Sequence, residues 1–213
     1  MNEHDSYEGM ISNFNLLYAF RDELRKALGH MEKPTILDYG AGRDAGFTLL
    51  FLSIHRNATI TIFDPNIEKE KLALDFEVKL DVDAPRVHIE TQEPEGNFDL
   101  VIFSFSLHHM GENLNEKISR AVQRFKPRYI GIMDYDYTDS DQGEFLDTFS
   151  SGPEQTEVRT TFGGDWEKAR KFHARLGMEK YRKALESNAF LVVSEGKGEG
   201  IARSKFLLIE QGS

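Results

Sequence analysis

Residues 36–47 read ILDYGAGRDAGF. A short apolar run ends in an acid, Asp38. Two glycines, Gly40 and Gly42, follow one residue apart, and a run with helical apolar spacing begins after them. A strand-to-helix turn needs glycine where the backbone takes a positive φ or where a ligand lies against it, and the helix that follows offers unpaired backbone N–H groups. GAGRDA also fits the G-x-G-x-x-G/A pattern of dinucleotide-binding turns. The turn alone therefore specifies a nucleotide-like ligand and no particular one. Asp38 narrows the choice: a buried carboxylate there opposes a pyrophosphate and suits a ligand with an ammonium group.

The pattern around this turn alternates. TILDY is a short apolar strand and AGFTLLFLSIH an apolar helix. ATITIF is rich in β-branched residues, which favour strand. NIEKEKLALDFEV predicts an amphipathic helix with Asn66 as its N-cap. RVHIET and FDLVIFSF are the third and fourth strands, the latter apolar on both faces as in the middle of a parallel sheet. NLNEKISRAVQRF predicts a helix ended by Pro127, and RYIGIMDYD a fifth strand. Strands alternating with helices predict an α/β fold, a three-layer sandwich around a mostly parallel sheet. QEPEGN, between strands three and four, is too short for a full helix, so that crossover is expected to be a loop. Upstream, Ile11, Phe14, Leu17, Tyr18, Leu24 and Leu28 have helical spacing and predict one or two N-terminal helices within residues 1–33. Residues 138–176 are polar and rich in Gly and Ser, an insertion after strand five. MEKYRKALESNAF then predicts a helix. FLVVSE and SKFLLIE are joined by too few residues for a parallel crossover, so the seventh and last strand is antiparallel. All 213 residues fit a single domain.

Composition excludes several classes. Hydrophobic residues make up 39% and charged residues 29%, which is globular. No apolar run reaches the roughly 20 residues that span a bilayer, and MNEHDSYEGM lacks the regions of a signal peptide. There is no cysteine, so disulfides and thiolate metal sites are absent. A cytoplasmic location is the expectation. The net charge of -10 argues against nucleic acid and anionic membrane as partners.

Two further features agree with Asp38. Asp64 ends the second strand, where an acid accepts hydrogen bonds from both ribose hydroxyls. FDLVIFSFSLHHM ends in polar residues at the C-terminal edge of the sheet, where open α/β sheets bind ligands. At these residues the chain resembles the class I, Rossmann-like S-adenosylmethionine-dependent methyltransferases. ILDYGAG is similar to their first motif, IFDPN to the acidic end of their second strand, and FDLVIFSFSLHHM to their fourth-strand motif. YRKALESNAFLVVSE and SKFLLIE resemble their last helix and final antiparallel pair. The resemblance covers residues 34–137 and 178–210 and implies a seven-stranded sheet. Two departures stand out: Asp44 replaces the usual third glycine, and Asn188 stands where glycine often ends the last helix, a position asparagine tolerates in the left-handed region.

The resemblance implies that S-adenosylmethionine is the cofactor. It lies on Gly40 and Gly42, with its ammonium at Asp38, its ribose at Asp64, and Ser104 beside the transferred methyl. Phe63 and Pro65, and residues 90–92, are placed to border the adenine. Ser106, His108 and His109 follow strand four; His108 is the candidate catalytic base, since a histidine titrates near working pH. Each has a plainer alternative: tight packing for the glycines, helix capping for Asp38, Asp64 and the histidines. Asp134, Asp136, Asp139 and Asp141 suit a cation or a solvated loop, and Asp134 and Tyr135 suit a substrate pocket. Phe162, Trp166, Phe172 and His173 suit a lid or a satellite core. SFSL stands where amino methylation of adenine uses N/D-P-P-Y/F. The reading is therefore methyl transfer to a small-molecule acceptor by in-line displacement. RNA or protein methylation, a non-catalytic cofactor-binding member and a nicotinamide oxidoreductase are the rivals.

Overall fold

The β-branched and apolar runs around the glycine turn become adjacent strands. The computed structural model describes residues 14–42, 45, 48–52, 54–69, 72, 86–107, 114–136, 152–174, 177–197 and 204–212. Its strands are β1 (Thr35–Tyr39), β2 (Thr59–Phe63), β3 (Val87–Glu90), β4 (Leu100–Ser104), β5 (Tyr129–Tyr135), β6 (Phe190–Lys197) and β7 (Ser204–Gln211). They form one seven-stranded sheet in the order β3-β2-β1-β4-β5-β7-β6. β1 pairs in parallel with both β2 and β4, and β4 with β5, while β7 is antiparallel to both β5 and β6. This is the expected sheet. Residues 91–99 cross from β3 to β4 without a helix.

Strand periodicity sends alternate residues to two cores. Ile36, Ile60, Ile62, Leu100, Ile102 and Leu208 face α1 (Phe14–Leu28) and α2 (Thr48–Phe51). Leu37, Val101, Phe103, Ile130, Ile132 and Leu207 face α3 (Leu114–Phe125) and α6 (Met178–Glu186) on the other side. The insertion contributes α4 (Gly152–Thr161) and α5 (Trp166–Ala174). Among the described residues no helix is long and apolar enough to cross a membrane. The predicted helix from Asn66 lies mostly outside the described residues, as do Arg43, Asp44, Gly46 and Phe47 in the turn.

Two helix ends differ from expectation in detail. α3 stops two residues before Pro127, and Lys126 between them is left-handed at φ 46. After α6 the left-handed residue is Ala189, at φ 61, rather than Asn188. The Asn188 side chain is occupied instead: Nδ2 donates to the Ala184 carbonyl at 2.7 Å, and Oδ1 accepts from Ser119 Oγ at 2.7 Å. This ties α6 to α3 and passes the chain reversal to the next residue.

α1 seats on the sheet through a glycine. Gly131 lies in β5 directly beneath Phe20, where a Cβ would sit 2.8 Å from Phe20 Cζ and 3.3 Å from Leu24 Cδ2. Phe20 has no room to retreat, being fully buried, stacked at 5.2 Å on Phe206 and edge-on at 6.0 Å to Phe51. Gly131→Ala is expected to destabilise the fold by about 1–3 kcal/mol through overpacking. In urea the midpoint will fall with its slope unchanged; an unmoved midpoint would show that α1 is not seated this way.

Candidate functional site

The ends of β1, β2 and β4 meet at one edge of the sheet. Gly40 and Gly42 have φ of 75° and 76°, values that side-chain-bearing residues rarely adopt. Their amides are already engaged. The N–H groups of Gly40 and Ala41 both donate to the Phe63 carbonyl, at 2.8 and 3.1 Å. Gly42 N–H donates to Asp64 Oδ2 at 3.0 Å, and Asp64 Oδ1 accepts from Asn66 N–H at 2.8 Å. Asp64 therefore clamps the glycine turn to the loop after β2, and each carboxylate oxygen keeps one lone pair for a further donor.

A cavity of about 580 Å³ opens over this clamp. Gly40, Gly42, Asp64 and Ser104 line it together, as do Phe63, Pro65 and Ser106. Ser104 Oγ is buried and has no hydrogen-bond partner among the described residues. Residues 90–92 do not line the cavity; Glu93 does. His108 and His109 lie outside the described residues.

Asp38 is not on the cavity wall but is buried at the end of β1, 1% exposed. Oδ2 accepts from the Thr48 hydroxyl at the start of α2, while Oδ1 has no partner among the described residues. Burial pushes its carboxyl up to about 7, the neighbouring Asp64 charge adds to the rise, and the Thr48 hydrogen bond opposes it. A carboxylate held this way gains most from a cation.

Sequence reasoning missed the wall of the cavity facing α3. Tyr39 donates its hydroxyl to Glu93 Oε1 at 2.7 Å, and Glu93 Oε2 pairs with Arg120 at 2.8 Å and Arg124 at 3.4 Å. Burial raises the Tyr39 hydroxyl well above its ordinary range, and the bond to Glu93 raises it further. Lys117, Arg120 and Ala121 line the same side. Their i, i+3, i+4 spacing marks one helix face, which is the signal that could have found them. Glu93 carried none.

Phe105, directly after β4, also lines the cavity. It is left-handed at φ 50, its N–H donates to the Met133 carbonyl at 2.7 Å, and its ring lies 5.0 Å from Tyr135. Asp134 faces elsewhere: it is buried and accepts from Tyr181 at 3.0 Å, and Asp136 accepts from Met178 N–H at 3.1 Å, capping α6. Asp139 and Asp141 lie outside the described residues, among which no three metal-ligating side chains come together.

None of Phe162, Trp166, Phe172 and His173 lines the cavity. In α4–α5, Val158, Phe162 and Ala169 form a small core of their own, flanked by Trp166, Phe172 and Tyr135. His173 is buried within it, Nε2 3.3 Å from Glu157 Oε2 and its ring 5.4 Å from Tyr135. The satellite core is thus present and is anchored on the end of β5.

Comparison with known proteins follows the same lines. No curated protein matches the chain in sequence. Among solved structures it is similar in fold to magnesium protoporphyrin IX methyltransferase from Synechocystis PCC 6803 with bound S-adenosylmethionine: TM-score 0.65, 15% identity, 95% of this chain against 81% of that one. It is similar to the plantazolicin methyltransferase BpumL in complex with S-adenosylhomocysteine, with TM-score 0.63, 12% identity and coverage of 96% and 87%. A S-adenosylmethionine-dependent methyltransferase from Aquifex aeolicus aligns with TM-score 0.55, 19% identity and coverage of 89% and 88%. The family model described as a methyltransferase domain matches residues 12–189, taking in the glycine turn, both strand-end acids and the sheet through α6. The chain belongs to the methyltransferase-domain family.

Proposed function

We propose that the protein transfers a methyl group from S-adenosylmethionine to a small-molecule acceptor, as one domain in which residues 138–176 form the acceptor side. The observation that carries the cofactor assignment is the unpartnered Oδ1 of Asp38, buried beside the glycine turn and poised near neutrality. It fits an ammonium. The engaged amides of Gly40, Ala41 and Gly42 argue the same way, since a pyrophosphate would need such donors free.

When bound, the cofactor supplies an activated methyl on a sulfonium. The chain's residues position and desolvate it. Gly40 and Gly42 let the ligand lie against the backbone, Asp38 balances its ammonium, and Asp64 accepts from its ribose hydroxyls. Ser104 stands beside the transferred methyl, and Phe63 and Pro65 border the adenine; all three line the cavity. His108 takes the acceptor's proton where the acceptor must lose one. Small-molecule acceptors fit the acidic net charge of -10 and the fold neighbours, which are named as methyltransferases for magnesium protoporphyrin IX and for plantazolicin.

Calorimetry with S-adenosylhomocysteine and with NAD tests the reading. Binding of the former in the micromolar range or tighter, with none of the latter, is expected. The reverse result would replace the methyltransferase reading with an oxidoreductase one.

A further inference from the structure

Resting on that reading, the cofactor's ammonium meets Oδ1 of Asp38. The other oxygen of the same carboxyl is held from behind, by the first residue of α2. We propose that Thr48 is a positioning residue for the cofactor: its hydroxyl grips Oδ2 of Asp38 and so leaves Oδ1 fixed for the ammonium. Thr48 itself touches no ligand and acts through Asp38.

Three observations carry this. Both groups are sealed from bulk water, Asp38 being 1% exposed and Thr48 fully buried. Oδ2 accepts from Thr48 Oγ1, while Oδ1 has no partner among the described residues. A carboxyl gripped by one oxygen does not turn freely, so the other keeps one direction. Next, the hydroxyl is placed by the same turn that lines the cavity. Ala45 N–H donates to the Gly42 carbonyl at 3.3 Å, and Thr48 N–H to the Ala45 carbonyl at 3.0 Å. Gly42 is on the cavity wall, so two backbone hydrogen bonds connect that wall to Thr48. Ala45 makes the bend between them, left-handed at φ 43 and 1% exposed. Leu52 N–H donates to the Thr48 carbonyl at 3.0 Å and carries the chain on into α2. Last, the electrostatics oppose one another at Asp38. Burial and the Asp64 charge favour the neutral carboxyl, whereas the Thr48 hydrogen bond favours the charged form. Among the described residues Asp64 is the charged group that acts on Asp38, and the Thr48 hydroxyl is what counters it.

S-Adenosylhomocysteine binding would be followed by calorimetry from pH 6 to pH 9 in the unsubstituted protein, Thr48→Val and Thr48→Ser. Buffers of different ionisation enthalpy give the protons released. Valine keeps the shape and removes the hydroxyl. It should move the midpoint of the affinity profile up by about one pH unit, the equivalent of one hydrogen bond to a charged group. Binding to Thr48→Val is then about tenfold weaker at pH 6 and within about twofold at pH 9. At pH 8 this variant should release about half a proton on binding, against about a tenth for the unsubstituted protein. Thr48→Ser keeps the hydroxyl and should restore both the profile and the proton count. Thr48→Ala also lacks the hydroxyl and serves if the valine variant does not fold. A threonine that only filled space would give uniform weakening at every pH with an unchanged proton count. That result, a valine profile matching the unsubstituted protein, or a serine variant behaving like valine would overturn the proposal. Absence of S-adenosylhomocysteine binding to the unsubstituted protein would instead overturn the cofactor reading on which it rests.

Discussion

S-Adenosylhomocysteine will bind about tenfold more weakly at pH 6 than at pH 8, and about 100-fold more weakly at pH 5. The reason is Asp38. Its carboxyl titrates near 7 in the folded protein and near 3.8 once unfolded. The native state therefore holds an extra proton between those values. Its contribution to stability is fully present below about pH 4 and is lost as pH rises through 7. By pH 8, without a ligand, the stability lost through this group relative to low pH is on the order of 4 kcal/mol. An ammonium beside Oδ1 offsets that cost, so binding selects the ionised form and releases a proton wherever the free carboxyl is protonated. Calorimetry at pH 6 in buffers of different ionisation enthalpy will show that proton directly. Asp38→Asn should abolish the proton release and flatten the pH profile across 5–8, at reduced affinity throughout. A flat profile in the unsubstituted protein would place the ligand's ammonium elsewhere.

Asp64→Ala is expected to lower S-adenosylhomocysteine affinity by about 100-fold or more. Two hydrogen bonds from ribose hydroxyls to a carboxylate are lost, each worth about 1.5–3 kcal/mol. The same substitution frees Gly42 N–H and Asn66 N–H, which Asp64 now holds at 3.0 and 2.8 Å, so the glycine turn loses its clamp as well. Asn is not a silent replacement. Its amide oxygen can satisfy one of the two N–H donors, but its NH₂ faces the other donor-to-donor. Asp64→Asn should therefore fall between alanine and the unsubstituted protein in affinity. Equal affinities across all three would remove Asp64 from the cofactor site.

The sheet was legible because its signal is local. FDLVIF and RYIGIM are apolar on both faces, and a strand buried twice has few other places to go. The short link between FLVVSE and SKFLLIE likewise forced an antiparallel pair. The cofactor side was legible through Asp38, Gly40, Gly42 and Asp64, which occupy strand ends and a turn. What escaped was what depends on chain segments far apart. Tyr39 and Glu93 are 54 residues from each other in sequence, and their bond follows from β1 and the β3–β4 loop sharing an edge. The engagement of the turn's amides by the Phe63 carbonyl is a backbone contact that side-chain identity does not encode. Asn188 suited the left-handed region by residue type, yet its amide is committed to Ser119 and Ala184, so Ala189 takes that conformation instead. The insertion gave aromatic residues but no period that said which of them would meet Tyr135.

β7 follows β6 in sequence yet lies between β5 and β6 in space. During synthesis β6 thus emerges with no seat on the growing sheet, and β5 keeps an edge of unpaired backbone N–H and C=O groups until residues 204–211 arrive to occupy it. A ribosome stalled before that point would hold a nascent chain with a bare, sticky strand border. Pairing of β7 with β5 is therefore a late, non-local step of folding, on which the seating of β6 depends.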